Sequence, residues 1–224
     1  MDSPDDDAAA IASHGPGMTT SAPGAASEPD PRAAKARSRR RARGEWAILL
    51  VLTVVGTFVI RSYVVQSYRI PSGSMERTLH GGCDPDCNKD RILVNKLAYH
   101  LHGIGRGDVV VFKATGPAWI SAVGGPDDVV KRVIGLPGDV LKCCDVQGRV
   151  VVNGKSLDEK YVFVDGPDPK QQFGPITVPK GDLWVMGDHR NDSSDSRYNG
   201  PIPIKSVIGR AFLRIWPLSR IGGL

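Results

Sequence analysis

The sequence predicts a mostly β fold of antiparallel strands, preceded by a single membrane-spanning helix. The β prediction rests on short runs rich in valine, isoleucine and leucine beyond residue 66; they are residues 91–94, 108–112, 129–134, 149–152, 183–186 and 211–216. Turn sequences separate these runs, since Pro137-Gly138 is typical of a type II turn and Asn153-Gly154 of a tight hairpin. The one further helix that we expect is short and lies near residues 95–102.

Charge is distributed unevenly at the amino-terminal end of the chain. Residues 1–30 contain six acidic side chains and no lysine or arginine, whereas residues 31–45 contain seven lysines and arginines and one glutamate. Segments with such polar composition bury little apolar surface. We therefore expect residues 1–44 to form a disordered tail that ends in a basic run.

Residues 46–60 carry no charged side chain and directly follow this basic run. A bilayer core requires about 20 helical residues, and Arg61 lies close enough to the end to reach the interface. We predict a transmembrane anchor over residues 45–66; a buried core helix is the alternative, but it would not normally follow so many cations. The positive-inside rule then places residues 1–44 in the cytoplasm and residues 67–224 outside it, with the anchor in the cytoplasmic membrane.

The four cysteines form two close pairs, Cys83 with Cys87 and Cys143 with Cys144, in the part predicted to be exported, where disulfides persist. We expect one or two disulfides and leave the pairing open, although a bond between the adjacent Cys143 and Cys144 is disfavoured by strain. His80 together with the first pair also permits a structural zinc site. The net charge of +5 is too small and too spread out to argue for nucleic acid.

Two serines, Ser72 and Ser74, flank Gly73 shortly after the predicted anchor. Ser-Gly-Ser is also a common linker composition, but a solvated linker has no need of the apolar residues that frame this one, such as Met75. A serine hydroxyl is a poor nucleophile until a base removes its proton. The segment is therefore a candidate nucleophile that requires a base elsewhere in the chain.

Lys131 is the first candidate base and lies in the predicted strand 129–134. Alternate side chains of a strand share a face, so Lys131 shares its face with Val129 and Val133 while Arg132 points the other way. Periodicity leaves open which of the two faces inward. If Lys131 is buried, loss of solvation lowers its pKa from about 10.4 towards neutrality, and the amine can act as a general base.

Histidine is the other base to consider, and His189 is the suggestive candidate because Asp188 precedes it. The Gly-x-Ser-x-Gly sequence of serine hydrolases and the His-Glu-x-x-His sequence of zinc proteases are both absent. Residues 186–197 are dense in Asp, Asn and Ser, which is typical of a hydrated turn; a calcium loop is a further option, but its closing glutamate is missing. These side chains could instead hydrogen-bond the lysine amine.

Four segments in this order, after one amino-terminal anchor, resemble the bacterial type I signal peptidase family. They are Pro71-Ser-Gly-Ser-Met75 with Thr78-Leu79, then residues 107–112, 131–139 and 187–197. The resemblance covers about residues 46–216. It implies a fold of two antiparallel β-sheet regions, with the smaller one inserted at about residues 142–178. The chain departs from the family pattern at His189, where asparagine is usual.

The resemblance also implies roles for individual residues. Ser74 is the nucleophile and Lys131 the general base, while the Ser74 backbone N–H and the Ser72 hydroxyl form an oxyanion hole. The supporting residues implied are Ser193, which orients the lysine amine, Asp195 and Arg197, which brace the site, and Asp188; the residues implied to line a pocket for small side chains are Ile70, Leu79 and Val130.

The function that follows is a membrane-bound serine endopeptidase that removes signal peptides from secretory preproteins after small residues. It requires no metal and no cofactor, and its partners are preproteins and the lipid bilayer rather than nucleic acid. One alternative is a self-cleaving repressor-type Ser/Lys protease, which is disfavoured because no DNA-binding helix pair precedes the domain. The other is a membrane-tethered, non-enzymatic β domain for binding or assembly.

Overall fold

A computed structural model of the chain describes residues 31–81, 89–124, 127–168 and 171–224. The expectations for the acidic residues 1–30, and for the disulfide or zinc role of Cys83 and Cys87, lie outside the described residues. The described helices are α1 (Pro31–Val59), α2 (Ala98–Leu101), α3 (Pro117–Val123) and α4 (Ser196–Asn199), with shorter helical turns at Ile60–Val64, Gly73–Met75, Ile204–Ser206 and Leu218–Arg220.

The strands make up most of the remaining chain. In chain order they are β1 (Val65–Arg69), β2 (Arg91–Asn95), β3 (Val109–Lys113), β4 (Asp128–Gly135), β5 (Val140–Cys143), β6 (Val150–Val152), β7 (Lys155–Ser156), β8 (Phe173–Thr177), β9 (Asp182–Met186), β10 (Ile202–Pro203), β11 (Val207–Trp216) and β12 (Gly222–Gly223). All six predicted strands occur, and the largest difference is at β11, which begins at Val207 rather than at residue 211.

The strands form two antiparallel sheets. The larger has the order β1-β2-β11-β3-β4-β9-β10, with β12 paired to β11, and the smaller has the order β7-β6-β5-β8. Every pairing within them is antiparallel. The prediction of a mostly β, antiparallel fold is confirmed. The smaller sheet occupies residues 140–177, between β4 and β9 of the larger one, where an insert was expected at about residues 142–178.

The amino-terminal helix differs from the prediction at both ends. Helix α1 begins at Pro31, inside the segment expected to be disordered, because alanine, arginine and lysine are all good helix formers. It ends at Val59, and β1 already starts at Val65, so the last residues of the predicted anchor belong to the sheet.

The transmembrane anchor predicted over residues 45–66 is not supported. Within the described part of the chain, no helix combines the length and the apolar character needed to cross a membrane. The uncharged stretch between Glu45 and Arg61 contains 15 residues.

Helix α3 was missed in the sequence, although its boundaries carry ordinary signals. Pro117 occupies the first turn, where its missing N–H costs nothing, and Gly124 ends the helix with a left-handed φ of 77°. The short helix expected near residues 95–102 is present as α2. Both turn predictions are also confirmed, because φ is positive at Gly138 and at both Asn153 and Gly154.

The middle of the larger sheet is covered on both faces. In β3, Val110 and Phe112 belong to one buried apolar cluster, while the alternate residues Val109 and Val111 belong to another. Since successive side chains of a strand point to opposite faces, neither face of the sheet is open to solvent here. The neighbouring strand β4, which carries Lys131, is likewise buried along most of its length.

The cysteine pair at the end of β5 corrects one expectation. Cys143 and Cys144 are joined by a disulfide, although strain was expected to prevent a bond between adjacent residues. The peptide bond between them is cis, and it brings their Cα atoms to 2.9 Å.

Candidate active site

Ser74 lies in a helical turn, Gly73–Met75, that packs against the larger sheet. The neighbouring Met75 and Leu79 are buried in the apolar cluster on that side, and their packing holds the turn against the sheet. Ser74 itself is only 7% exposed. Its carbonyl oxygen accepts a hydrogen bond from the backbone N–H of His189, at 3.1 Å, which ties the turn to the loop after β9.

Lys131 extends from β4 to the Ser74 hydroxyl. The distance between Lys131 Nζ and Ser74 Oγ is 2.5 Å, and the lysine is 4% exposed. Burial lowers the pKa of Lys131 to about 8, because the charged amine loses its hydration; Asp195 and Asp188 oppose this effect and Arg197 adds to it. The short distance and the lowered pKa of Lys131 are therefore compatible with a serine nucleophile and a lysine base.

Arg132, the residue next to Lys131, is buried as well. Its guanidinium binds Asp188 with two hydrogen bonds, of 2.8 and 2.6 Å, and Asp188 also accepts a hydrogen bond from the Thr78 hydroxyl at 2.6 Å. The sequence left open which of Lys131 and Arg132 faces inward. The structure buries both, because β4 is covered on both faces.

Asp195 is the centre of a second buried network. It accepts hydrogen bonds from the Ser193 hydroxyl at 2.8 Å, from the Gly187 backbone N–H at 3.0 Å and from the Arg197 guanidinium at 2.9 Å. Burial alone would raise the pKa of Asp195, but the hydrogen bonds and charge of Arg197 outweigh it and lower the pKa. Ser193, expected to orient the lysine amine, donates its hydroxyl hydrogen to this carboxylate.

Glycine is required at position 187 by close packing. A Cβ atom there would lie 2.3 Å from Ser193 Oγ and 2.4 Å from the Ser74 carbonyl oxygen. Only a residue without a side chain lets the loop after β9 approach the nucleophile this closely.

A cleft of about 420 Å³ opens beside the pair. Ile70 and Val130, both expected in the pocket, line it. Ser72, expected in the oxyanion hole, lines it as well, and its Oγ lies 3.4 Å from Ser74 Oγ. Leu79, expected in the lining, is fully buried in the apolar core beneath Met75, because its side chain completes the cluster under the turn. Lining residues that the sequence did not indicate are Ala122, Val123, Asp127, Asp192 and Ser194.

The imidazole ring of His189 contacts Asp165 and Phe163 rather than Ser74. Its Nε2 lies 2.9 Å from Asp165 Oδ1, and the ring packs against Phe163 with 4.7 Å between centroids. The contact of His189 with Ser74 is made by its backbone N–H and not by the imidazole. The geometry therefore favours Lys131 over His189 as the base. No group of three or more His, Cys, Asp or Glu residues in the described chain could hold a metal ion.

Known proteins match this chain over most of its length. The family described as signal peptidase, peptidase S26, matches residues 43–216. A probable signal peptidase I-2 of Synechocystis is 40% identical, over 80% of this chain and 74% of the relative. The signal peptidase I of Mycobacterium tuberculosis is 39% identical, over 90% and 83%, and the signal peptidase I S of Bacillus subtilis is 32% identical, over 82% and 95%.

The class defined by these matches is that of the serine endopeptidases. Within that class, the chain belongs to the signal peptidase family, peptidase S26, and its relatives are signal peptidases I. The family resemblance drawn from the sequence is confirmed. The alternative of a non-enzymatic binding domain is set aside.

The burial of Lys131 should lower the free energy of unfolding by a measurable amount. Its folded-state pKa of about 8 lies below the ordinary value of 10.5, so the cost is fully present below pH 8 and disappears as pH rises towards 10.5. A shift of this size corresponds to roughly 3 kcal/mol. Lys131→Met should therefore be more stable than the wild type at pH 7, and its stability should change less between pH 8 and 10.5.

Chemical denaturation at a series of pH values measures both effects. Lys180→Met, at an exposed position, is the matched control and should leave the pH dependence unchanged. A Lys131→Met variant that is less stable than the wild type at pH 7 would contradict the burial cost.

His189→Asn should retain most peptidase activity. The substitution keeps the backbone N–H that binds the Ser74 carbonyl, and the side chain that it replaces binds Asp165 rather than Ser74. Steady-state kinetics on a secretory precursor provide the measurement. A folded but inactive variant would indicate that His189, and not Lys131, is the base.

Proposed function

We propose that Ser74 and Lys131 are the nucleophile and general base of a peptidase that removes signal peptides from secretory preproteins. The observation that carries the proposal is the buried hydrogen bond of 2.5 Å between Lys131 Nζ and Ser74 Oγ. With a pKa of about 8, roughly one lysine in ten is neutral at pH 7, and this fraction can accept a proton. The relatives that carry the name signal peptidase I support the substrate class.

The reaction begins when neutral Lys131 takes the Ser74 proton as Ser74 Oγ attacks the scissile carbonyl carbon. The negative charge then develops on the carbonyl oxygen, where the Ser74 backbone N–H and the Ser72 hydroxyl are available as donors. Protonated Lys131 returns its proton to the leaving amine, so the peptide bond breaks and an acyl-enzyme remains. Water, deprotonated by the same lysine, hydrolyses the ester and restores Ser74.

The cleft supports selection of small residues before the scissile bond. Ile70 and Val130 line it beside the nucleophile. Both side chains are branched at Cβ, which places methyl groups close to the main chain and leaves little width for a substrate side chain. An alanine-sized residue fits such a space with less rearrangement than a larger one.

We also propose that the enzyme works at the cytoplasmic membrane with its peptidase domain on the outer side. Helix α1 exposes a series of large apolar side chains, including Trp46, Leu50 and Phe58, each more than half exposed. Contiguous apolar surface of this kind is typical of a site that contacts lipid or another apolar partner. The basic run before it is typical of a cytoplasmic flank.

Substitution of Lys131 tests the mechanism. Lys131→Ala should remove nearly all turnover, and Lys131→Arg should not restore it, because a guanidinium stays protonated. In the wild type, kcat/KM should rise with pH through about 8, since the neutral amine is the reactive form. The full chain in detergent is incubated with a secretory precursor, and the new amino terminus is sequenced.

Lys180→Arg serves as the control for this experiment and should behave as the wild type. An active Lys131→Ala variant, or a wild-type acidic limb near 10.5, would exclude Lys131 as the base.

Protease treatment of intact spheroplasts tests the topology. Residues beyond about 70 should be digested, because the peptidase domain is outside, and the amino-terminal tail should be spared. Lysed spheroplasts provide the control in which both parts are digested. Protection of the Ser74 domain in intact spheroplasts would reverse the proposed orientation.

A further inference from the structure

A segment between β7 and β8 lies along the loop that follows β9. We call residues 159–165 the strap and residues 187–197 the site loop. The side chains that contact the site loop or its partners belong to alternate residues of the strap; they are Glu159, Tyr161, Phe163 and Asp165. The residues between them include Lys160, with a side chain 87% exposed, and Val164, 51% exposed. The Val162 N–H donates to the Glu159 carbonyl at 3.0 Å and closes a turn at the start of the strap. The four contacts place one side of the strap against the site loop.

Glu159 makes the strongest contact of the strap. Its carboxylate binds the Arg190 guanidinium with two hydrogen bonds, of 3.1 and 2.6 Å. Both side chains are less than a tenth exposed. Arg190 Nε in turn donates to the carbonyl oxygen of Gly187 at 3.0 Å, the glycine whose missing side chain admits Ser74. Glu159 thereby restrains the main chain at the closest approach to the nucleophile.

Tyr161 supports the same arrangement from the next position of this face. Its hydroxyl donates to Glu159 Oε1 at 2.9 Å, and its ring lies 3.9 Å from the Arg132 guanidinium, which holds Asp188. Burial and the neighbouring Glu159 raise the pKa of Tyr161, so the hydroxyl keeps its proton and remains a donor. Two strap residues thus contact two arginines of the network, Arg190 and Arg132.

The backbone of Phe163 completes the link to the nucleophile. Its N–H donates to the Asp188 carbonyl at 2.8 Å, and its carbonyl accepts from Arg190 N–H at 2.9 Å. Between these two residues lies His189, whose own N–H donates to the Ser74 carbonyl at 3.1 Å. The strap, the site loop and the Ser74 turn therefore form one continuous series of hydrogen bonds.

We propose that the strap is a positioning element of the peptidase, in which Glu159, through Arg190, holds the site loop so that Ser74 stays within hydrogen-bond distance of Lys131. The inference rests on the proposed function of that pair. Glu159 touches neither the substrate nor the reacting atoms, so its effect is on the geometry of the nucleophile. Displacements of about 1 Å at a reacting pair can cost around 100-fold in rate.

Glu159→Gln tests this role, since it keeps the size of the side chain but removes the charge that binds Arg190. We expect kcat to fall about tenfold or more while KM stays within about twofold, because neither Glu159 nor Arg190 lines the cleft. Arg190→Gln should show the same loss. The double variant should be no worse than Arg190→Gln alone, because the two residues act through one contact. Lys160→Gln and Val164→Thr, at exposed strap positions, are the controls and should retain full activity.

Hydrogen exchange of the full chain in detergent provides a readout that does not depend on peptidase activity. In Glu159→Gln, amides of residues 187–192 should exchange about tenfold faster, while those of β3 and β4 stay protected. Unchanged exchange in residues 187–192, unchanged kcat, or losses that add in the double variant would each overturn the positioning role. A wild type that cleaves no precursor would instead overturn the proposed function, and exchange alone would then decide whether the strap holds the loop.

Discussion

The burial of the Lys131 amine against the Ser74 hydroxyl is the interaction on which the rest of the site depends. A charged amine in this position would lose its hydration, so the pKa falls to about 8. The same desolvation that would make the lysine a usable base, in the proposed mechanism, makes its burial a cost to folding. The structure must therefore enclose Lys131 firmly enough to keep water out while its partner remains accessible from the cleft.

Two buried carboxylates lie close enough to Lys131 to oppose the lowering of its pKa. Asp188 and Asp195 both raise the pKa of Lys131, and either one, if unpaired, would favour the protonated amine. Each is instead bound by its own arginine, Asp188 by Arg132 and Asp195 by Arg197. Arg197 also opposes the effect of the carboxylates, and desolvation remains the largest effect on the pKa of the lysine. The ion pairs thus serve both to fix the site loop and to control protonation.

His189 contacts the rest of the site through both its side chain and its backbone. Its imidazole binds Asp165, which belongs to the strap, whereas its backbone N–H binds the Ser74 carbonyl. The backbone contact is available to any residue at this position except proline, so it does not depend on the histidine side chain. What the side chain adds is a contact with the strap, which connects β7 and β8 of the smaller sheet.

The sequence by itself determined the antiparallel β class, the main strands, the turns at Gly138 and Asn153, and the pairing of Ser74 with Lys131 as a hypothesis. These features depend on alternation, turn chemistry and short ordered motifs, all of which are local. Only the tertiary structure decided that Lys131 and Arg132 are both buried, that Leu79 lies beneath the cleft, and that Glu159 binds Arg190 from 31 positions away. Periodicity predicts which side chains share a face of a strand, but it does not predict which distant segment packs on that face.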